Sequence, residues 1–348
     1  MTAPTLSIII PTCNEINTLP HLIAQLRQQI GVEPEIVIAD GCSTDGTPEW
    51  ARSEGIRVVA CPQRGRGAQM NAGAHASTGS ELLFLHADSG MPDITLLQQA
   101  MHCMQTYRLA GQKHCAGHFS IRFIDTAGTW HPLLRYLEKK SLLNRPECIH
   151  GDRGMWLSRS FFFELGGFRT DLPFLEDQQI AHRVAQQGQW TTLPGCLETS
   201  ARRFRQEGTL KRTLLNAMIL TAFQADFQEF LQQAPALYRT QEHTTNVQLI
   251  PFLRLVHQLD QAAGWQHAWH RWHRIGQSLC ASFWQFFFMF DLLANTLRTE
   301  DRFPAILFHD RTIQPLLKRL PCAWIPAILI RYILILIETP FAFARYAC

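Results

Sequence analysis

Leu6-Ser7-Ile8-Ile9-Ile10-Pro11-Thr12-Cys13-Asn14-Glu15 opens on an apolar, β-branched run that stops at a proline. Apolar residues at successive rather than alternate positions suit a strand buried on both faces of a parallel sheet. Outward from that run, Thr18 precedes Leu19, Leu22, Ile23, Leu26 and Ile30 at helical spacing, and Gly31 supplies the stop. Residues 35–39, 56–60 and 81–86 read as further strands, with helices over 47–53, 67–77 and 94–107. The alternation predicts an α/β, doubly wound, Rossmann-like parallel sheet, with ligands at the carboxyl ends of its strands.

Past Gly111 the pieces become shorter and richer in aromatics. A strand is expected over 117–124 and another over 153–156, with helices over 132–143, 159–165 and 178–187 and a mostly helical stretch over 200–233. Residues 234–249 turn polar, with Gln, His and Thr and little periodicity, which reads as a linker. The expected division is a first domain over 1–235, a linker over 236–260 and a helical extension over 261–348.

Composition agrees with two parts. Hydrophobic residues make up 46% of the chain and charged ones 18%, and the charges thin out in the last hundred residues. A net charge of +3, with basic residues scattered among acids, gives only a weak electrostatic footprint for nucleic acid, which is not expected as a partner. The ten cysteines include no Cys-x-x-Cys pair, so neither a zinc site nor a redox centre is expected. The first residues lack a charged start followed by an apolar stretch, so no cleaved signal is expected, and free thiols in the cytosol are the natural reading.

Polar residues collect where strands end. Pro11, Thr12, Asn14 and Glu15 follow the first strand, and Asp40, Ser43 and Asp45 follow the second within Asp40-Gly41-Cys42-Ser43-Thr44-Asp45-Gly46-Thr47. Acids and hydroxyls there can bond a nucleobase edge and ribose hydroxyls, although Ser, Thr and Asp before a helix also serve as caps. After the third strand, Arg66-Gly67-Ala68-Gln69-Met70-Asn71 opens a helix, which offers Arg66 and the backbone amides around Gly67 to phosphates. The fourth strand delivers His86-Ala87-Asp88, where a carboxylate can hold Mg2+ or Mn2+ against a diphosphate, or merely cap a helix.

These segments resemble the family-2 glycosyltransferases of the GT-A fold. The likeness rests on Ser7-Ile8-Ile9-Ile10-Pro11-Thr12-Cys13-Asn14-Glu15, on Ala39-Asp40-Gly41-Cys42-Ser43-Thr44-Asp45-Gly46-Thr47, and on Leu85-His86-Ala87-Asp88. Arg64-Gly65-Arg66-Gly67-Ala68-Gln69-Met70-Asn71-Ala72-Gly73, Gly151-Asp152-Arg153-Gly154, and Leu172-Pro173-Phe174-Leu175-Glu176-Asp177 followed by Ala201-Arg202-Arg203-Phe204 are similar to the subgroup called radical-SAM/selenodomain-associated transferase 2. The likeness covers about residues 5–225. It implies a nucleoside-diphosphate sugar bound by Pro11, Thr12, Asn14, Glu15, Asp40, Ser43, Asp45, Arg66, Gly67, Asn71 and His86. It implies a metal on Asp88, with His86 in place of the family's first metal-motif acid, and Asp177 as the base of an inverting transfer. Asp152, Glu176, Arg202 and Arg203 fall to the acceptor or phosphate, with the acceptor held over residues 111–205.

The extension has no counterpart in that likeness. Trp265, Trp269 and Trp272 form an aromatic stripe among His267, His270 and His273, which favours an interfacial helix over a metal site. The apolar runs 279–293 and 321–337 fall short of the roughly 20 residues that span a bilayer, so interfacial, re-entrant or buried helices are expected. The expectation is an enzyme in the cytoplasm or at the cytoplasmic face of a membrane, with a lipid or membrane-embedded molecule as the leading reading of its unidentified acceptor. The rivals are a nucleotidyltransferase, which would release pyrophosphate, and a non-catalytic nucleotide-sugar sensor or membrane scaffold.

Overall fold

The computed structural model describes residues 5–62, 65–124, 131–171, 174–241, 246–295 and 303–319, together with Trp324 and Ile328. Arg64, Leu172 and Pro173 of the motifs lie outside the described residues, as does the run 321–337 apart from Trp324 and Ile328. The chain divides into two compact units, Met1–Arg203 and Phe204–Cys348. The helices between 204 and 235 therefore group with the C-terminal unit, not with the first domain of the division expected at 235.

The first unit is built on a seven-stranded sheet in the order β3-β2-β1-β4-β6-β5-β7. Its strands are β1 (Leu6–Thr12), β2 (Glu35–Asp40), β3 (Arg57–Ala60), β4 (Glu81–Phe84), β5 (Cys115–Ile124), β6 (Met155–Ser158) and β7 (Gln189–Ser200). The helices between them are α1 (Leu19–Arg27), α2 (Thr47–Ser53), α3 (Arg66–Ala76), α4 (Leu96–Leu109), α5 (Pro132–Lys140), α6 (Arg159–Glu164) and α7 (Glu176–Gln187). Strands β3, β2, β1 and β4 run parallel. The expected parallel, doubly wound arrangement holds over those four strands, while β6 runs antiparallel to both β4 and β5. Its four residues are all buried, so their apolar character reports a central strand and is silent on direction.

The residues of β1 show why helices cover both faces. Ile8 and Ile10 pack with Leu19, Leu22, Leu26 and Met101, from α1 and α4. Ile9 between them packs with Met70, Phe162 and Ile180, from α3, α6 and α7. Successive side chains of a strand point to opposite faces, so an unbroken apolar run requires a layer on each side. Each of these isoleucines is fully buried, worth about 2 kcal/mol apiece. Helix α3 comes so close to β1 that a Cβ on Gly73 would lie 2.5 Å from Ile9. This proximity brings the N-terminus of α3 beside the strand ends.

The second unit is helical: α8 (Arg202–Glu207) crosses its boundary, followed by α9 (Thr209–Gln224), α10 (Gln228–Arg239), α11 (Ile250–Ala281), α12 (Trp284–Asn295), α13 (Pro304–Phe308) and α14 (Gln314–Arg319). Much of the expected linker is therefore helix. Gly264, with a left-handed φ of 75°, breaks α11. Asp260 contacts Arg271 at 2.9 Å and Trp272 at 2.5 Å. In a straight helix residues 11 or 12 apart lie about 17 Å apart, so the chain folds back at Gly264. The tryptophan stripe lies wholly after the bend and divides by burial. Trp265 and Trp269 stay exposed, while Trp272 is 4% exposed and donates its indole N–H to Asp260.

Candidate active site

Strands β2, β1 and β4 are parallel neighbours, so the residues after all three open at one edge of the sheet. Thr12 and Asp40 are register partners, and the Thr12 hydroxyl donates to Asp40 Oδ1 at 3.0 Å. The Ser43 amide donates to Asp40 Oδ2 at 3.0 Å and the Ser43 hydroxyl to Oδ1. A carboxylate has about four acceptor positions, so these three donors make Asp40 the organiser of the turn with little capacity to spare.

The second turn is tied to the first through Asn14, whose φ of 60° is left-handed. Its amide donates to Ser43 Oγ at 2.8 Å, and its Oδ1 accepts from the Thr44 amide at 2.8 Å. The Glu15 amide donates to Thr47 and the Ile16 amide to Asp45. Burial pushes the Asp45 carboxyl up, but hydrogen bonds from the Thr47 hydroxyl and the Ile16 and Thr47 amides outweigh it and hold the group below its ordinary value. Pro11 ends the buried run and Glu15 accepts from the Thr18 hydroxyl at 2.7 Å. The two turns are thus one hydrogen-bonded construction.

Gln69 completes it, and sequence reasoning missed its role. From the buried face of α3 its amide nitrogen donates to the Thr12 carbonyl at 2.7 Å and the Ala39 carbonyl at 2.8 Å, binding the ends of β1 and β2 together. Asn71 on the same helix is committed elsewhere: its Nδ2 donates to the Phe168 carbonyl and its Oδ1 accepts from the Phe168 amide, at 2.7 and 2.8 Å. Gly67 has no room for a side chain, since a Cβ would lie 2.9 Å from the Arg169 carbonyl and 3.2 Å from Glu176. Helix α3 therefore meets the start of α7 at backbone distance.

Arg66 links the two sides of the site. Its Nη1 lies 3.2 Å from His86 Nε2 and 3.4 Å from Glu176 Oε1. Burial, then the charges of Arg66 and Arg203, holds the His86 imidazole well below its ordinary value. The ring is therefore neutral, with Nε2 accepting from the guanidinium and the proton on Nδ1. His86 has no lone pair left for a metal. Asp88, two residues on, is exposed and free of that pairing. Among the described residues no three His, Cys, Asp or Glu side chains form a metal-holding group.

The turn Gly151–Arg153 packs beside His86, where a Cβ on Gly151 would come within 2.6 Å of Nε2. The Gly151 amide donates to Asp177 Oδ2 at 2.9 Å, and Asp177 Oδ1 accepts from the Gln178 amide at 2.7 Å. The residue that caps α7 is Leu175, in a left-handed conformation, so Asp177 stands inside the first turn. Gln178 donates to the Ile149 carbonyl and to His150 Nδ1, which fixes the His150 proton on Nε2. Burial, with the positive charges of Arg153 and Lys140, keeps that ring neutral. Its Nδ1 stands 3.9 Å from Asp177 Oδ2, beyond hydrogen-bond reach. His150, Gln178 and the Gly151 amide are site components that residue-by-residue reading does not reveal.

Four acids act on one another. Burial raises the Asp152 carboxyl, Arg153 lowers it, and the charges of Asp177 and Asp88 raise it again. Burial likewise raises Glu176, which Arg66 opposes and Asp177 reinforces. Arg202 and Arg203 are exposed at the start of α8, and Arg203 is felt by His86. The structure thus gathers Arg66, His86, Asp152, Glu176 and Asp177, with Asp88 and Arg203 in electrostatic reach, and sets Asn71 apart as a positioning residue.

Comparison with known proteins gives this geometry a family. The family described as Glycosyl transferase family 2 matches residues 7–183. A PGL/p-HBAD biosynthesis glycosyltransferase of Mycobacterium bovis is 37% identical over 97 residues, 26% of this chain and 38% of that protein. An uncharacterized glycosyltransferase of Haemophilus influenzae is 27% identical over 199 residues, 53% of this chain and 64% of that protein. The chain thus spans less than two thirds of these relatives' lengths. Among solved structures, a mannosyltransferase from Pyrobaculum calidifontis in complex with GDP-Man and Mn2+ is 18% identical with a TM-score of 0.46, over 94% of this chain and 86% of that one. Because the family match takes in half the chain and runs from β1 into α7, through every strand end described above, the chain belongs to glycosyl transferase family 2.

Proposed function

We propose that the chain moves a glycosyl group from a nucleoside-diphosphate sugar to an acceptor hydroxyl, with inversion. The observation that carries this reading is the juxtaposition of Asp177, held by the Gly151 amide at 2.9 Å, with Arg66, whose Nη1 lies 3.4 Å from the adjoining Glu176 carboxylate. A transfer of this kind needs positive charge on the departing diphosphate and a carboxylate within reach of the attacking hydroxyl. In this reading Pro11, Thr12, Asn14, Glu15, Asp40, Ser43 and Asp45 shape the nucleoside pocket. Arg66, the amides near Gly67, Arg202 and Arg203 meet the phosphates, and Asn71 holds the Phe168 turn. Asp177 takes the proton of the acceptor hydroxyl as its oxygen bonds to the anomeric carbon and the bond from that carbon to the diphosphate breaks. Its hydrogen bonds from Gly151 and Gln178 hold the carboxylate in place.

In this reading Asp88, exposed and outside the Arg66 pairing, would hold a hard divalent ion, Mg2+ or Mn2+, since such ions bind through one or two carboxylates plus substrate. When bound, it would supply Lewis-acid stabilisation of the leaving diphosphate. The acceptor side is residues 111–205, and the motifs around Arg66, Asp152 and Asp177 support the radical-SAM/selenodomain-associated transferase 2 subgroup.

The C-terminal unit is proposed to dock on a membrane surface. Phe286, Phe290 and Leu293 lie on one face of α12 and are 54%, 52% and 64% exposed. No described helix is long and apolar enough to cross a membrane. The deciding experiment incubates the protein with a panel of nucleoside-diphosphate sugars and Mn2+, reading thermal stabilisation and the released nucleotide. A stabilising donor that yields nucleoside diphosphate supports transfer. Pyrophosphate would make it a nucleotidyltransferase, and binding without turnover across an acceptor panel would make it a sensor or scaffold.

A further inference from the structure

His150 stands beside Asp177 and has no part in the reaction above. Its Nδ1 accepts from Gln178 Nε2 at 3.0 Å, and the same Nε2 donates to the Ile149 carbonyl at 2.6 Å. A carbonyl can only accept, so the second bond fixes which end of the Gln178 amide faces the ring. The imidazole therefore carries its proton on Nε2. Gln178 is fully buried, so packing holds the same orientation. With the ring neutral, Nε2–H is a donor and nothing else.

That donor is open. Among the described residues no group bonds to Nε2, and 39% of the side chain is exposed. The ring is also close to the proposed base, with Nδ1 3.9 Å from Asp177 Oδ2. Asp177 has capacity to spare, since the Gly151 and Gln178 amides fill two of a carboxylate's roughly four acceptor positions. Gly151, the next residue in the chain, meets His86 and through it Arg66, on the phosphate side. His150 faces Gln178 instead. A carboxylate and an open N–H thus stand side by side without bonding each other.

We infer that His150 binds the acceptor through Nε2–H, and that the acceptor is an uncharged polyol such as a sugar, with one hydroxyl on Asp177 and the oxygen of the neighbouring carbon on His150. The inference rests on the transfer reading, which supplies the acceptor. Asp177 needs an oxygen that carries a proton, and Nε2–H needs an oxygen with a lone pair. Two oxygens on adjacent carbons meet both needs at once. An anionic group would meet the charge of Asp177 and find no positive partner in the ring. An isolated hydroxyl would leave Nε2–H to water.

The test compares two acceptors that differ by one oxygen, ethanol and ethylene glycol. The sugar nucleotide that most raises the melting temperature is supplied with Mn2+, and the glycosylated alcohols are measured by mass spectrometry. Per hydroxyl, wild type is expected to favour ethylene glycol by about fivefold, the worth of one neutral hydrogen bond. His150→Asn keeps an oxygen for Gln178 but cannot reach the place of Nε2, and should lose the preference. His150→Gln reaches that place with an N–H and should recover it. The ratio within one protein cancels any general loss of activity, so a merely structural role would leave it unchanged. Should His150→Asn fail to fold, His150→Phe keeps a ring without the donor and takes its place. No preference in wild type, or the same preference in the folded Asn or Phe variant, overturns the inference. A stabilising donor from which neither alcohol nor water takes a glycosyl group contradicts the transfer reading and removes the inference with it, an outcome that a lost preference alone does not produce.

Discussion

The amide of Gly151 donates to Asp177 Oδ2 at 2.9 Å, while a Cβ on the same glycine would lie 2.6 Å from His86 Nε2. One residue therefore sets the position of the proposed base and is itself confined by the imidazole that holds Arg66. Gly151→Ala must displace either the turn or His86. Turnover is expected to fall by about 10²-fold, the scale of an ångström-sized misplacement, with little loss of donor affinity. An unchanged kcat in a folded Gly151→Ala protein would show that this contact does not position Asp177.

Because His86 Nε2 is taken by Arg66, the metal assignment falls on Asp88. Asp88→Ala should lose the Mn2+-dependent part of donor binding, and His86→Ala should retain most of it. Titrating donor affinity with and without Mn2+ decides this. Equal metal dependence in wild type and Asp88→Ala removes Asp88 from the site.

Asp45 gives a pH signature. Its folded-state carboxyl lies below the ordinary 3.8, so its contribution to stability is present above that pH and is lost as pH falls through the lower folded value. Asp45→Asn should therefore melt below wild type at neutral pH, with the gap closing as pH drops past the ordinary value. Melting curves across the acid range test it, and a gap constant with pH contradicts the linkage.

Much of the fold can be read in the chain because Ile8, Ile9 and Ile10 all need burial, and only a sheet covered on both faces provides it. The direction of β6 is not legible: its burial is the same whichever way it runs. Strand β7 carries a weak signal because Pro194 and Gly195 interrupt it, which its place at the sheet edge tolerates. The acids of the site stand out at strand ends. Gln69, the Gly151 amide and the Gln178 contact that orients His150 do not, since carbonyl staples, backbone donors and ring tautomers are properties of three-dimensional neighbours. Trp272 shows the same limit, as the bend at Gly264 brings Asp260 onto its indole N–H.

The exposed face of α12 predicts lipid binding. Full-length protein should co-sediment with vesicles, and Phe286→Ser with Phe290→Ser should weaken that by about tenfold or more, from the apolar area lost. Sedimentation of the double variant equal to wild type, or none by wild type, contradicts membrane docking.

The central claim is that Asp177 is the base, and Asp177→Asn tests it most directly. The amide keeps the size of the side chain and an oxygen to accept from Gly151 or Gln178, but it lacks a basic oxygen for the acceptor proton. Donor affinity and melting temperature, measured beside turnover on this variant, separate chemistry from structure. The account predicts near-normal donor binding with turnover reduced by about 10²-fold or more, the usual general-base contribution, and a milder loss in Glu176→Gln. Near-normal turnover with a melting temperature lowered by the equivalent of about 1 kcal/mol, the cost of a lost helix-terminal hydrogen bond, would contradict it and leave Asp177 a structural residue.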